Sequence, residues 1–139
     1  LTVRPTSLLN ECTPPTWRAD VMADEDSADV VACSAQLEAA WKDFTTPPAP
    51  LPAPGSEGHD ILVCHGNVIR WFVTKALKVD TMAWLQMGLC NASLTTIQVR
   101  ADGTTRVLGY ADNGHLPPNM QTGLNRTSRE LVVPGATPR

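Results

Sequence analysis

The stretch "ILVCHGNVIRWFVTKAL", residues 61–77, decides the fold. Its hydrophobic period changes in the middle. "ILVC" is a short apolar run of the kind that makes a buried strand, whereas "VIRWFVTKAL" repeats its apolar residues at helical spacing. The pattern predicts a strand over 60–64 and a helix over 67–77, with His65, Gly66 and Asn67 at the corner between them. Positions 69, 72, 73, 76 and 77 share one helical face, and Val68 and Trp71 widen it, so this helix should be largely buried. A strand–loop–helix unit puts its loop at the carboxyl edge of a sheet, where open α/β sheets bind ligands. The helix start offers free amides at Gly66, Asn67 and Val68 together with the positive end of the helix dipole. Gly66 lets an anion approach the backbone. An imidazole placed there suits an anion such as phosphate, because as imidazolium it adds a charge-assisted hydrogen bond. From the residues alone a plainer reading stays open, in which His65 merely ends the strand.

The flanks give the rest of the architecture. Residues 1–19 read as a short strand followed by an irregular segment, since Pro14 and Pro15 forbid a helix through that point. Asp20, Asp24, Glu25, Asp26 and Asp29 then precede a helix over 28–44, in which Val30, Cys33 or Ser34, Leu37, Trp41 and Phe44 recur at spacings of three and four. Acidic residues at a helix start favour its dipole, which accounts for the cluster without a metal. "TTPPAPLPAPGSEG", residues 45–58, is a proline-rich insertion expected in extended, solvated conformations. Residues 80–87 read as a short helix with Asp80 as N-cap. "SLTTIQVR" and "TTRVLGY", joined through Asp-Gly, read as a hairpin. Residues 119–139 read as a loose polar tail. His59, at the edge of the insertion, should face solvent, and His115 sits in a Gly-His-Leu-Pro-Pro turn.

Composition narrows the function. The chain has 139 residues, about one domain. Its net charge of −3 argues against nucleic acid or an anionic membrane surface as partner, since both favour a basic face. No apolar run reaches the roughly 18–20 residues that cross a bilayer. Cys12, Cys33, Cys64 and Cys90 lack zinc-finger spacing and read as buried free thiols.

"CHGNVIRWFVTKAL" resembles the second-histidine motif of the histidine phosphatase, or phosphoglycerate mutase, superfamily. "SLLNECTPP" (7–15) is similar to the family segment that ends in a catalytic glutamate, with Trp17 following at a matching distance. "QLEAAWKDF" (36–44), the hairpin "NASLTTIQVRADGTTRVLG" and "NGHLPP" (113–118) extend the likeness. The last of these points to a mitochondrial branch of serine/threonine protein phosphatases. The resemblance implies an α/β class: a three-layer α/β/α fold with a mostly parallel sheet and an antiparallel edge hairpin. Residues 1–118 would be the C-terminal part of that domain, incomplete in this chain. It further implies catalytic roles for His65 and Glu11, phosphate binding at Gly66 and Asn67, no metal, no cofactor and a phosphoprotein substrate. A homo-oligomer, a membrane anchor on an N-terminal segment absent here and a mitochondrial location are implied as well, with a cytoplasmic location as the alternative. Two departures stand out. No arginine of the chain precedes a histidine, so the Arg-His-Gly nucleophile motif of the family is missing. Asn10 also stands where the favoured branch has arginine before the acid. A phosphatase or mutase for a small metabolite, a non-catalytic scaffold and a nucleotide-binding α/β domain are the competing readings.

Overall fold

A computed structural model describes residues 2–122 apart from positions 52, 54 and 56. Two helices at its centre form for local reasons. Helix α2 (Ser27–Thr45) starts where the Asp26 carboxylate accepts the Ala28 amide at 2.7 Å and carries Asp29 in its first turn. Asp26 and Asp29 of the acidic cluster therefore serve the start of this helix. A one-turn helix, α1 (Ala19–Met22), precedes it within that cluster and was not anticipated. At its start Arg18 Nε donates to Asp20 at 2.7 Å, and this bond holds the Asp20 carboxyl down at about 2.

Helix α3 (Gly66–Leu77) begins at His65 as N-cap and ends at Lys78, whose φ of 57° lets the Val79 amide reach the Thr74 carbonyl at 3.1 Å. It buries Val68, Trp71, Phe72, Val73, Thr74 and Ala76, and the predicted core residue Leu77 is exposed at the helix end. Leu9, Cys33, Leu37 and Ala40 meet Val68, Trp71 and Phe72 in one cluster, with Trp41 edge-on to Phe72 at 5.4 Å. Lys75 ties the two helices at their rim. Its Nζ donates to the Glu38 carboxylate at 2.8 Å and lies 5.1 Å from the Trp71 ring centroid. Leu37 is fully buried in this cluster, so Leu37→Ala is expected to cost about 2–5 kcal/mol, read as a lowered denaturant midpoint in chemical melts.

The predicted short helix at 80–87 is a 3₁₀ helix, Thr81–Gln86, and Asp80 caps it as expected by accepting the Met82 amide at 2.9 Å. Its buried Trp84 donates Nε1 to the carbonyls of Pro14 and Pro15 at 3.2 and 3.0 Å. The proline pair is thereby anchored even though it cannot join a helix. The predicted hairpin forms from β1 (Leu94–Val99) and β2 (Thr105–Asp112), antiparallel, with Gly103 at φ 78° in its turn. Ile97 faces the core, and Thr105 Oγ1 donates to the Ala76 carbonyl of α3 at 3.1 Å. The chain then runs through a 3₁₀ turn, Pro118–Met120, back to Asn91, whose amide donates to the Thr122 carbonyl at 2.8 Å. The start of the predicted loose tail is thus tied down, and the rest of it lies outside the described residues.

The sheet differs from expectation. Among the described residues it has two strands, both antiparallel, and no parallel strand. Residues 60–64 form no strand there, and Ile61 and Val63 are 75% and 89% exposed. A strand exists only when a neighbour takes its backbone groups. The pattern of 60–64 is that of a strand, but no strand lies beside it among the described residues. The predicted strand near the chain start is likewise unpaired, and a 3₁₀ turn, Ser7–Leu9, follows it.

The cysteines also differ. Cys12 and Cys33, expected as free thiols, form a disulfide with their Cα atoms 5.6 Å apart, while Cys64 and Cys90 remain free. Their separation of 21 positions carries no spacing signal. The pair meets because the loop after the 3₁₀ turn lies along α2.

Candidate functional site

The site is built where the loop 10–13 meets the start of α3. His65, as N-cap, has an extended backbone (φ −109°, ψ 169°), and its carbonyl accepts the Ile69 amide at 3.1 Å. Its imidazole is exposed. The Asn67 amide donates to Glu11 Oε1 at 3.2 Å, and Asn67 Nδ2 donates to the Cys12 carbonyl at 3.0 Å. Glu11, His65, Gly66 and Asn67, singled out from sequence, are therefore neighbours although 54 or more positions separate the acid from the others. The Glu11 carboxylate rests on the helix N-terminus, the place where unpaired amides and the dipole favour an anion.

A methyl group on Gly66 would meet Leu89 Cδ2 at 3.6 Å and Arg70 Nη1 at 4.0 Å, both ordinary contacts. Packing therefore does not demand glycine here.

Arg70 is a residue that sequence reasoning passed over. It sits one turn after Asn67, and its Nη1 donates to Asn67 Oδ1 at 3.3 Å. Its Nε and the Tyr110 hydroxyl are buried without a hydrogen-bond partner among the described residues. Burial pushes the Tyr110 phenol up, and the Arg70 cation partly offsets this. The signal was available: an arginine three residues after Asn67 in the same helix must fall on the same face as the corner.

Two other groups near the corner can be assigned. Burial raises the Cys64 thiol, and the Glu11 charge raises it further. Cys64 is thus a poor nucleophile, because the thiolate is the reactive form. A cleft of about 370 Å³ opens between the Glu11 loop and α2, walled by Glu11, Glu25, Asp29, Cys33 and Gln36 among others. Three carboxylates in one wall repel a phosphate dianion. The corner at His65, which lies outside that wall, is the better anion site.

Comparison with known proteins covers the His65 corner. Residues 52–113 match the family model for the histidine phosphatase superfamily (branch 1). The chain is similar to the serine/threonine-protein phosphatase Pgam5, mitochondrial, of Caenorhabditis elegans, with 38% identity over 86 residues, covering 62% of this chain and 30% of the relative. It is also similar to serine/threonine-protein phosphatase PGAM5, mitochondrial, of Xenopus tropicalis, with 32% identity over 102 residues, 73% of this chain and 34% of the relative. A third similar protein is Pgam5, mitochondrial, of Drosophila grimshawi, 34% identical over 96 residues, 69% of this chain and 32% of the relative. The chain spans about a third of the length of the curated relatives it matches. The His65 corner at the start of α3, on which the Glu11 carboxylate rests, lies within residues 52–113, the stretch that matches the histidine phosphatase superfamily.

Proposed function

We propose that these residues serve a phosphatase acting on phosphoserine or phosphothreonine in proteins, in which His65 and Glu11 are catalytic and Gly66 and Asn67 bind phosphate. The relatives' names, which specify serine/threonine phosphatases, support the substrate class, and their mitochondrial designation supports the same location for this chain. The single observation that carries the reading is the Glu11 carboxylate 3.2 Å from the Asn67 amide, two residues past His65.

In this mechanism a histidine nitrogen attacks phosphorus, the bond from phosphorus to the serine or threonine oxygen breaks, and a phosphohistidine forms. Water then attacks phosphorus, releases phosphate and restores the imidazole. The attacking histidine must come from outside the 139 residues, which hold no Arg-His-Gly. His65 and the amides at Gly66 and Asn67 take the equatorial oxygens and stabilise the charge that develops on them. A phosphoryl oxygen takes the amide on which Glu11 rests. Glu11, as carboxylic acid, gives its proton to the departing alkoxide, a poor leaving group that needs one. Histidine suits attack because it is largely unprotonated near neutral pH and departs readily.

The complete fold follows the same logic. Residues 60–64 become a strand of a mostly parallel sheet when the strand bearing the nucleophile lies beside them, with helices on both faces. A homo-oligomer and a membrane anchor outside these residues are compatible with this arrangement.

A competition assay with the complete encoded protein tests the reading. A phosphoserine peptide should be hydrolysed at least about tenfold faster than a phosphosugar at equal concentration, a gap of roughly 1.4 kcal/mol in transition-state binding. Preference for the phosphosugar would move the assignment to a small-metabolite phosphatase or mutase. Turnover of neither would make the protein a scaffold on the phosphatase fold.

A further inference from the structure

Glu11 lies in a stretch, 11–16, that is neither helix nor strand, so no backbone ladder of its own fixes the carboxylate. Side chains from two helices hold it instead. On one flank, Asn67 of α3 donates to the Cys12 carbonyl at 3.0 Å. On the other, Gln36 of α2 donates Nε2 to the Asn10 carbonyl at 2.8 Å and to the Leu8 carbonyl at 3.3 Å. The same nitrogen lies 3.8 Å from Cys12 Sγ, and Cys33, the disulfide partner of Cys12, sits one turn before Gln36 on α2. Every residue flanking the acid is thus attached to a helix.

We infer that Gln36 is a positioning residue for Glu11, an inference that rests on the phosphatase reading above. Its chemistry fits the task. A primary amide carries two donor hydrogens, one for each carbonyl of the loop. Glutamate in its place would set an acceptor against two acceptors, and alanine would leave both carbonyls without their donor. Position matters to a general acid because the proton moves only along a short, aligned contact. A displacement of about 1 Å costs on the order of a hundredfold in rate.

The test uses the leaving group as its readout, in the complete encoded protein. A peptidyl serine alkoxide needs the proton from Glu11, whereas the nitrophenolate of 4-nitrophenyl phosphate departs without one. Gln36→Ala should lower kcat on a phosphoserine peptide by about tenfold and on 4-nitrophenyl phosphate by less than about twofold, with KM unchanged on both. Gln36→Lys, which keeps a donor, should recover kcat to within about threefold. Glu11→Gln sets the reference and should show the same selective loss at larger size. If Glu11→Gln shows that selectivity and Gln36→Ala does not, or if Gln36→Ala loses both activities equally, the positioning role is wrong and the phosphatase reading survives. If the unsubstituted protein hydrolyses neither ester, the phosphatase reading fails and the inference falls with it.

Discussion

His65→Ala, made in the complete encoded protein, is expected to lower kcat on a phosphoserine peptide by about a hundred- to a thousandfold. The reason is where the imidazole stands. It is exposed at the N-cap of α3, beside the amides of Gly66 and Asn67, with no hydrogen bond of its own side chain to cap the helix. It contributes nothing to the buried cluster of Leu37, Val68, Trp71 and Phe72, so its removal should leave stability within about 0.5 kcal/mol, as for other exposed positions. The loss would then be catalytic. Histidine as an equatorial donor acts mainly in the transition state, so kcat should fall while KM changes little. His59, exposed beside the proline-rich insertion and within 3.9 Å of Glu57, is the control, and His59→Ala should retain full turnover. A His65→Ala protein that kept kcat to within threefold would remove His65 from the chemistry.

The second large effect concerns the 139 residues by themselves. A protein consisting of them alone is expected to show no phosphate release above the uncatalysed background, since no histidine in it follows an arginine and none other than His65 sits at a helix start. It is also expected to self-associate. Ile61, Leu62 and Val63 lie in a segment that is neither helix nor strand, with no strand partner among the described residues, and Ile61 and Val63 are largely exposed. Each such side chain left in water forgoes roughly 1.5–3 kcal/mol of burial. An unpaired apolar strand is also a template for a second copy. Sedimentation velocity should show concentration-dependent association that Val63→Lys suppresses. A monodisperse, catalytically active 139-residue protein would overturn both the missing-nucleophile argument and the unpaired-strand argument.

Helices α2 and α3 and the hairpin were legible because their determinants are local. A 3.6-residue period, acidic residues near a helix start and an Asp-Gly turn act within a few residues of one another, and they gave these elements nearly their observed bounds. The corner at His65 was legible for the same reason, since the change of period marks it. Its meeting with Glu11 was reached through the family resemblance, because no local pattern links positions so far apart.

The sequence by itself determined which residues want to be helix, strand or turn, and which groups stand at a helix start. Only the tertiary structure decided who meets whom. It joined Cys12 to Cys33, set Gln36 under the carbonyls of Leu8 and Asn10, and turned Arg70 back toward Asn67. It also left 60–64 without a strand partner among the described residues. The physical reason is that a helix closes its own hydrogen bonds, whereas a strand, a disulfide or an irregular loop is completed only by groups that the chain brings from elsewhere.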